Sequence, residues 1–121
     1  MDLAVLERDL SICRVARVGA QTLSWEFFFL ARTDEELSLV CRTEDVPPEA
    51  TARDDGWRAF RVCGVLDFSL TGILAELSGV LAGAGIGIFA VSTYNTDYIL
   101  VRREDVDRAA AALSAAGHRI V

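Results

Sequence analysis

The chain has 121 residues, 52% of them hydrophobic, with 18 acidic and 12 basic side chains for a formal charge of -6. That length suits one compact domain or two small ones sharing a core, and the apolar content excludes a disordered chain. The acidic balance argues against nucleic acid, and because every basic residue is arginine there is no lysine for Schiff-base chemistry or a Gly-Lys-Ser/Thr phosphate loop.

The first residues, Met1-Asp2-Leu3-Ala4-Val5-Leu6-Glu7, place acid where a secretory signal would be basic, so a cytoplasmic protein is expected. Leu10 to Val15, Glu26 to Ala31 and Leu37 to Cys41 read as strands, the last two joined by the turn Thr33-Asp34-Glu35-Glu36. No segment before Arg53 has a helical stripe. Three strands without a helix do not bury a face by themselves, so this half is expected to pack on the second half or on another subunit. Glu44 to Gly56, with Pro47-Pro48 and Asp54-Asp55-Gly56, reads as a linker. Cys13, Cys41 and Cys63 are widely spaced in apolar runs with no CxxC pair, the pattern of small buried hydrophobes rather than of metal or redox ligands.

The second half begins with a strand from Trp57 to Leu66. Asp67-Phe68-Ser69-Leu70-Thr71 is a short connection rich in N-cap candidates. Ile73, Leu74, Leu77, Leu81 and Ala84 fall at helical spacing, and Gly83 and Gly85 close that helix. The run Ile73 to Val91 is broken by Glu76 and by glycines, so no membrane span is expected. Ile86 to Thr93 and Tyr98 to Arg102 form a hairpin around a polar bend. Glu104 and Asp105 open a second helix with the buried stripe Val106, Ala109, Ala110, Leu113 and Ala116. Gly117 ends it, and His118 to Val121 is a short last strand. His118 is the only histidine, which leaves no multi-histidine metal site. The order strand, helix, strand, strand, helix, strand predicts a ferredoxin-like fold, with two helices on one face of a four-stranded antiparallel sheet.

Two segments carry the candidate chemistry. The bend Ser92-Thr93-Tyr94-Asn95-Thr96-Asp97-Tyr98 holds hydroxyls, an amide, a carboxylate and two phenols, far more than a chain reversal needs. The connection Asp67 to Ile73 leads into a helix N-terminus, whose open amides and partial positive charge seat a carboxylate. Gly72 there has no side chain to keep a ligand from the backbone. Asp97 would face an ammonium or guanidinium group, so the two segments together suit a zwitterionic amino acid. Each has a plainer reading as well: a hairpin satisfying its own backbone, tight packing at Gly72, and a solvated turn aspartate at Asp97.

Asp67 to Ala75, the helix end Gly85-Ile86, and Ile88 to Val101 resemble the ACT domains of the CASTOR-type cytosolic amino-acid sensor group and its small bacterial relatives. Leu6 to Arg17 and Phe27 to Val40 resemble it too. The resemblance implies an incomplete, strand-rich ACT-like subdomain with its linker over 1–56 and a complete ACT domain over 57–121. It also implies a ligand site between two ACT units. Asp67, Leu70, Thr71, Ile73, Thr93, Tyr94 and Asp97 would come from one unit, with Gly72 at the helix start, and Gly87 and Ile88 from the facing one. With one complete unit per chain, the facing unit would be a second copy in a homodimer. The sensors have a serine where this chain has Gly87, so backbone contacts from Gly87 and Ile88 are what carries over there, and whether arginine is the ligand stays open.

The resulting expectation is a non-catalytic regulatory protein, without cofactor or metal, that binds a small amino acid and passes its occupancy to a protein partner the sequence does not name. The alternative is a ligand-free dimerisation or protein-interaction module. An RNA-recognition domain shares the strand and helix order but needs exposed aromatics and a basic face, for which Arg58 and Arg61 are too little. An acylphosphatase-like enzyme needs a phosphate-cradling loop with arginine after its first strand, where this chain has Asp67-Phe68-Ser69.

Overall fold

Alternating burial marks a strand only where every second side chain meets a core, and the first strand does not alternate in that way. β1 runs Asp2–Arg14, well before the expected start at Leu10, and its buried residues Leu3, Leu6 and Leu10 are unevenly spaced. In the computed structural model, which describes residues 1–121, two compact units share the chain: Arg8–Trp57, and Met1–Glu7 together with Arg58–Val121. The first seven residues thus join the C-terminal half, and β1 contributes a part to each unit.

In the unit Arg8–Trp57, β2 (Phe28–Arg32) and β3 (Leu37–Arg42) form an antiparallel hairpin, and β3 pairs antiparallel with β1. β4 spans Ala52–Val62 and lies beside β1. It therefore begins inside the expected linker, and the strand expected to run to Leu66 stops at Val62. The acids responsible for the linker reading are held in place. Asp55 Oδ1 accepts 2.6 Å from the buried Ser11 hydroxyl and makes an ion pair with Arg53 at 3.0 Å. Ser11 also shares a 2.9 Å hydrogen bond with Thr43. Cys13, Val15, Leu37, Leu39 and Cys41 form this unit's core. Its helical content is two single turns, Ala20–Ser24 and Thr43–Asp45.

The other unit follows the path β4, α1 (Ile73–Gly83), β5 (Ile88–Ser92), β6 (Asp97–Arg102), α2 (Val106–Ala115), β7 (Arg119–Ile120). This is the ferredoxin-like order. Leu77 and Leu81 of α1 and Ala109 and Leu113 of α2 meet Phe60, Val62, Ile99 and Val101 of the strands in one core. Burying each leucine of such a cluster is worth roughly 1.5–3 kcal/mol. The two helical stripes are shorter than expected, since Ala84 and Ala116 are exposed. Glu104 and Asp105 form a separate single turn, Arg103–Asp105, before α2 begins. α1 ends in a paired-bond cap. Gly85 turns left-handed at φ 73°, its amide donates to Ala82 O at 3.0 Å, and Ile86 N donates to Leu81 O at 3.0 Å. Gly85, not Gly83, is the residue that closes the helix.

The hairpin is tighter than the sequence suggests: Ser92 pairs with Asp97, so Asp97 belongs to β6 rather than to the bend. The last strand departs further. β7 is two residues long and pairs parallel with β1, Asp2 opposite Arg119 and Leu3 opposite Ile120. The strand order in this unit is therefore β7-β1-β4-β6-β5, with the N-terminal segment inserted beside β7. Leu3 enters the core at 1% exposure, and Asp2 binds Arg119 at 2.6 Å.

The two units repeat one plan. Positions 28–46 and 88–106 correspond at a constant interval: β2 with β5, β3 with β6, and the single turn Thr43–Asp45 with Arg103–Asp105. Arg42, Glu44, Asp45 and Val46 recur as Arg102, Glu104, Asp105 and Val106.

All three cysteines are free, and Cys13 and Cys41 are buried. Burial pushes the Cys41 thiol up to about 12 and raises that of Cys13 as well. Thiolate is the reactive form, so folded protein near pH 8 should react with iodoacetamide at Cys63 first. Mass spectrometry of the alkylated peptides checks this, with all three labelled together in urea.

Candidate functional site

The candidate site forms where the segment leaving β4 passes the tip of the β5–β6 hairpin. Thr93 N donates to Thr96 O at 2.8 Å, closing a four-residue bend. Thr96 is buried, and its hydroxyl reaches across to donate to Val62 O at 2.6 Å. A little further on, Leu66 N donates to Asn95 O at 2.7 Å. These two bonds fix the bend against the connection and leave a cleft of about 310 Å³ between them.

On the connection side, Asp67 Oδ1 accepts from Ser69 N at 2.8 Å and Leu70 N donates to Asp67 O at 3.0 Å. Asp67 therefore caps its own turn and not α1. The bond from Ser69 N is the chief cause holding its carboxyl below the ordinary 3.8. The N-cap of α1 is Gly72, at φ 81°, a left-handed conformation that side chains rarely adopt. No side chain caps the helix, in contrast to the Ser, Thr and Asp candidates of the sequence. Glu76 N makes the first helical bond, to Gly72 O at 2.8 Å. The amides of Ile73, Leu74 and Ala75 precede that bond, and all three residues line the cleft.

On the hairpin side, Asp97 Oδ1 accepts from Ser92 Oγ at 2.6 Å. Thr93 Oγ1 donates to Thr96 O at 3.0 Å. The plainer reading, a hairpin satisfying its own backbone, describes the Thr93 hydroxyl, whereas that of Ser92 goes to the Asp97 side chain and that of Thr96 to Val62 O. Tyr94 is 80% exposed and stands edge-on to Phe68, itself 74% exposed, with ring centres 5.2 Å apart. Leu70, also exposed, lines the cleft with them, so three exposed apolar or aromatic side chains border it.

Of the residues singled out from sequence, Asp67, Leu70, Gly72, Ile73, Thr93, Tyr94 and Asp97 line this one cleft. Thr71 lies in the same connection but does not line it. Gly87 and Ile88, expected from a facing unit, sit at the far end of β5 and outside it. Tyr98, the second phenol of the bend, is also outside. The sequence reading missed Phe68 and the anchoring role of Thr96. Phe68 becomes legible only through its ring partner across the cleft, and Thr96 through a bond to a strand far away in the chain.

A family profile for the ACT domain matches residues 52–115. This chain belongs to the ACT domain family. A mouse protein, cytosolic arginine sensor for mTORC1 subunit 1, is 28% identical over 95 residues, which are 73% of this chain and 29% of the mouse protein. A crystal structure from Agrobacterium tumefaciens superposes with TM-score 0.88 at 35% identity, covering 99% of this chain and 91% of that one. The ligand-free regulatory subunit of aspartate kinase from Thermus thermophilus shares the fold, with TM-score 0.63 at 12% identity over 95% and 97% of the two chains. The ACT chain described here is similar to part of an arginine sensor, and it spans under a third of that sensor's length. No helix is long and apolar enough to cross a membrane.

Two outcomes are expected of the site's framework. Thr96→Val leaves Val62 O buried without its donor, a loss of about 1–3 kcal/mol measurable by urea unfolding. Asp67, with its folded-state value depressed, stabilises the fold fully above the ordinary 3.8, and that contribution fades as pH falls through its lower folded value. Asp67→Asn should therefore lower stability at neutral pH and converge with wild type as pH falls, flattening part of the acid limb of the profile.

Proposed function

We propose that this ACT protein is a non-catalytic regulator that binds a small α-amino acid in the cleft between the β4–α1 connection and the hairpin bend. One juxtaposition carries the reading. Ile73, Leu74 and Ala75, whose amides no side chain caps, line the same cleft as Asp97. A helix N-terminus favours a carboxylate and Asp97 an ammonium, so an amino acid bridges the two with its own two charges. The match to a cytosolic arginine sensor supports the ligand class. The exposed rim of Phe68, Tyr94 and Leu70 supports closure by a second protein surface. In this reading the surface is a second copy of the chain, packed side by side along the edge strand β5, with Gly87 and Ile88 at its start presenting backbone groups. The resulting homodimer works in the cytoplasm and signals ligand occupancy to a protein partner.

The same rim supports a second reading, a protein-interaction or dimerisation module with no ligand. Titration calorimetry against the twenty amino acids separates the two. Binding of one small amino acid favours the sensor, and silence across the set favours the module. For the ligand found, Asp97→Ala is expected to cost about 1.5–3 kcal/mol, a weakening of roughly tenfold or more. Asp105→Ala, beside Arg108 at the start of α2, should leave affinity unchanged. Equal affinity of wild type and Asp97→Ala would remove the site. Sedimentation velocity at micromolar concentration should give a dimer, and a monomer throughout that range would remove the two-copy arrangement.

A further inference from the structure

The repeated plan of the two units extends to the bend itself. Thr33 N donates to Glu36 O at 2.9 Å, as Thr93 N does to Thr96 O, and Thr33 Oγ1 accepts from Glu36 N at 3.1 Å. The strand exit is tied down in a similar way: Val15 N donates to Leu37 O at 3.0 Å, where the other unit uses Leu66 N and Asn95 O. Behind the bend 33–36 lies a cleft of about 270 Å³, lined by 14–16, 32–37 and Thr51. Residues 32–37 correspond at the constant interval to 92–97, the hairpin side of the first cleft.

The charges of this cleft are arranged differently. The unit has no α1, so no helix N-terminus faces the bend. Arg14 and Arg32 line the cleft in its place. Arg14 uses only Nε, in a long 3.4 Å bond to Thr51 Oγ1, and the Arg32 guanidinium makes no hydrogen bond or ion pair. Asp34, Glu35 and Glu36 line it as well, and their carboxylates make none either. Two cationic and three anionic groups thus share one small cleft without pairing. A dianion would meet the carboxylates and a bare cation the guanidiniums. A molecule with one charge of each sign meets both.

We propose that the unit Arg8–Trp57 holds a second binding cleft, for a small zwitterion of the α-amino acid class, with Arg14 and Arg32 taking the carboxylate and the acids of the bend taking the ammonium. Guanidinium suits the first task because its planar fork meets a carboxylate through two parallel bonds. The groups are exposed, so affinity is weak and salt-dependent.

The test is amide NMR of the whole ¹⁵N-labelled chain, titrated separately with each of the twenty amino acids and with inorganic phosphate. At least one amino acid should shift the amides of 33–37 in a saturable way. Arg14→Gln with Arg32→Gln should weaken that response by about tenfold or more while the remaining spectrum stays folded. Asp97→Ala should leave the response at 33–37 untouched, whatever it does at 93–97, so this cleft and the one proposed above stand or fall separately. No shift at 33–37 with any amino acid overturns the proposal. So does an undiminished response in the double variant, or phosphate acting at the same concentrations as the amino acids.

Discussion

One buried hydroxyl holds the site together. Thr96 Oγ1 donates to Val62 O at the point where β4 ends, and Leu66 N returns a bond to Asn95 O a few residues later. The hairpin tip cannot swing away from the β4–α1 connection without breaking both. Inside a protein such bonds are strengthened by the low local polarity, and an orphaned partner costs more than the bond gains. The cleft is thus a consequence of the sheet. Its two walls come from segments distant in sequence and fixed to each other through backbone carbonyls.

What lies between the walls follows from the choice of Gly72 as N-cap. A serine or aspartate there would turn its own oxygen onto the first amides of α1 and close them to anything else. The left-handed glycine supplies no such oxygen, and Asp67, the acid of the preceding connection, is engaged by Ser69 N. The helix end is therefore left electrostatically open toward the cleft. Across from it, Ser92 donates to only one oxygen of Asp97, which leaves the second oxygen able to accept. The apolar rim around these groups lowers the cost of drying the cleft once something covers it.

The helices, their closing glycines and the hairpin were legible because their signals are local: a stripe of leucines, a glycine after the last turn, β-branched residues on both sides of a polar bend. The edges of the strands were less so. Asp54 and Asp55 look like linker because acids rarely sit in strands, and only the buried Ser11, far upstream, explains the place of Asp55. Leu3, Leu6 and Leu10 give no two-residue period, so β1 before Leu10 was invisible. The insertion of that strand beside β7 depends on long-range pairing, which no local window contains. Gly72, Asp97 and the helix start stood out through conformation and charge, whereas Leu70, Thr71, Ile73, Thr93 and Tyr94 came as individual site residues only with the resemblance to the ACT sensors. Phe68 was not singled out, since an aromatic in a connection means nothing until its partner Tyr94 is in view.

The difference between the units also reduces to single residues. Both reach Glu-Asp-Val at the end of the same single helical turn. Val106 then takes φ -56°, ψ -47° and α2 continues, whereas Val46 takes φ -59°, ψ 123° and the chain runs on extended. Val46 precedes Pro47, and a proline ring excludes the helical conformation from the residue before it. Pro48 then removes a second amide donor. Two prolines are therefore enough to stop the counterpart of α2, and the core of Cys13, Leu39 and Cys41 is covered by Val18, Trp25 and Val46 instead of by helices. With the counterpart of α1 reduced to the single turn Ala20–Ser24, a helix macrodipole is available in one unit only. The same hairpin plan thus shares its cleft with a helix N-terminus in one unit and with arginine side chains in the other.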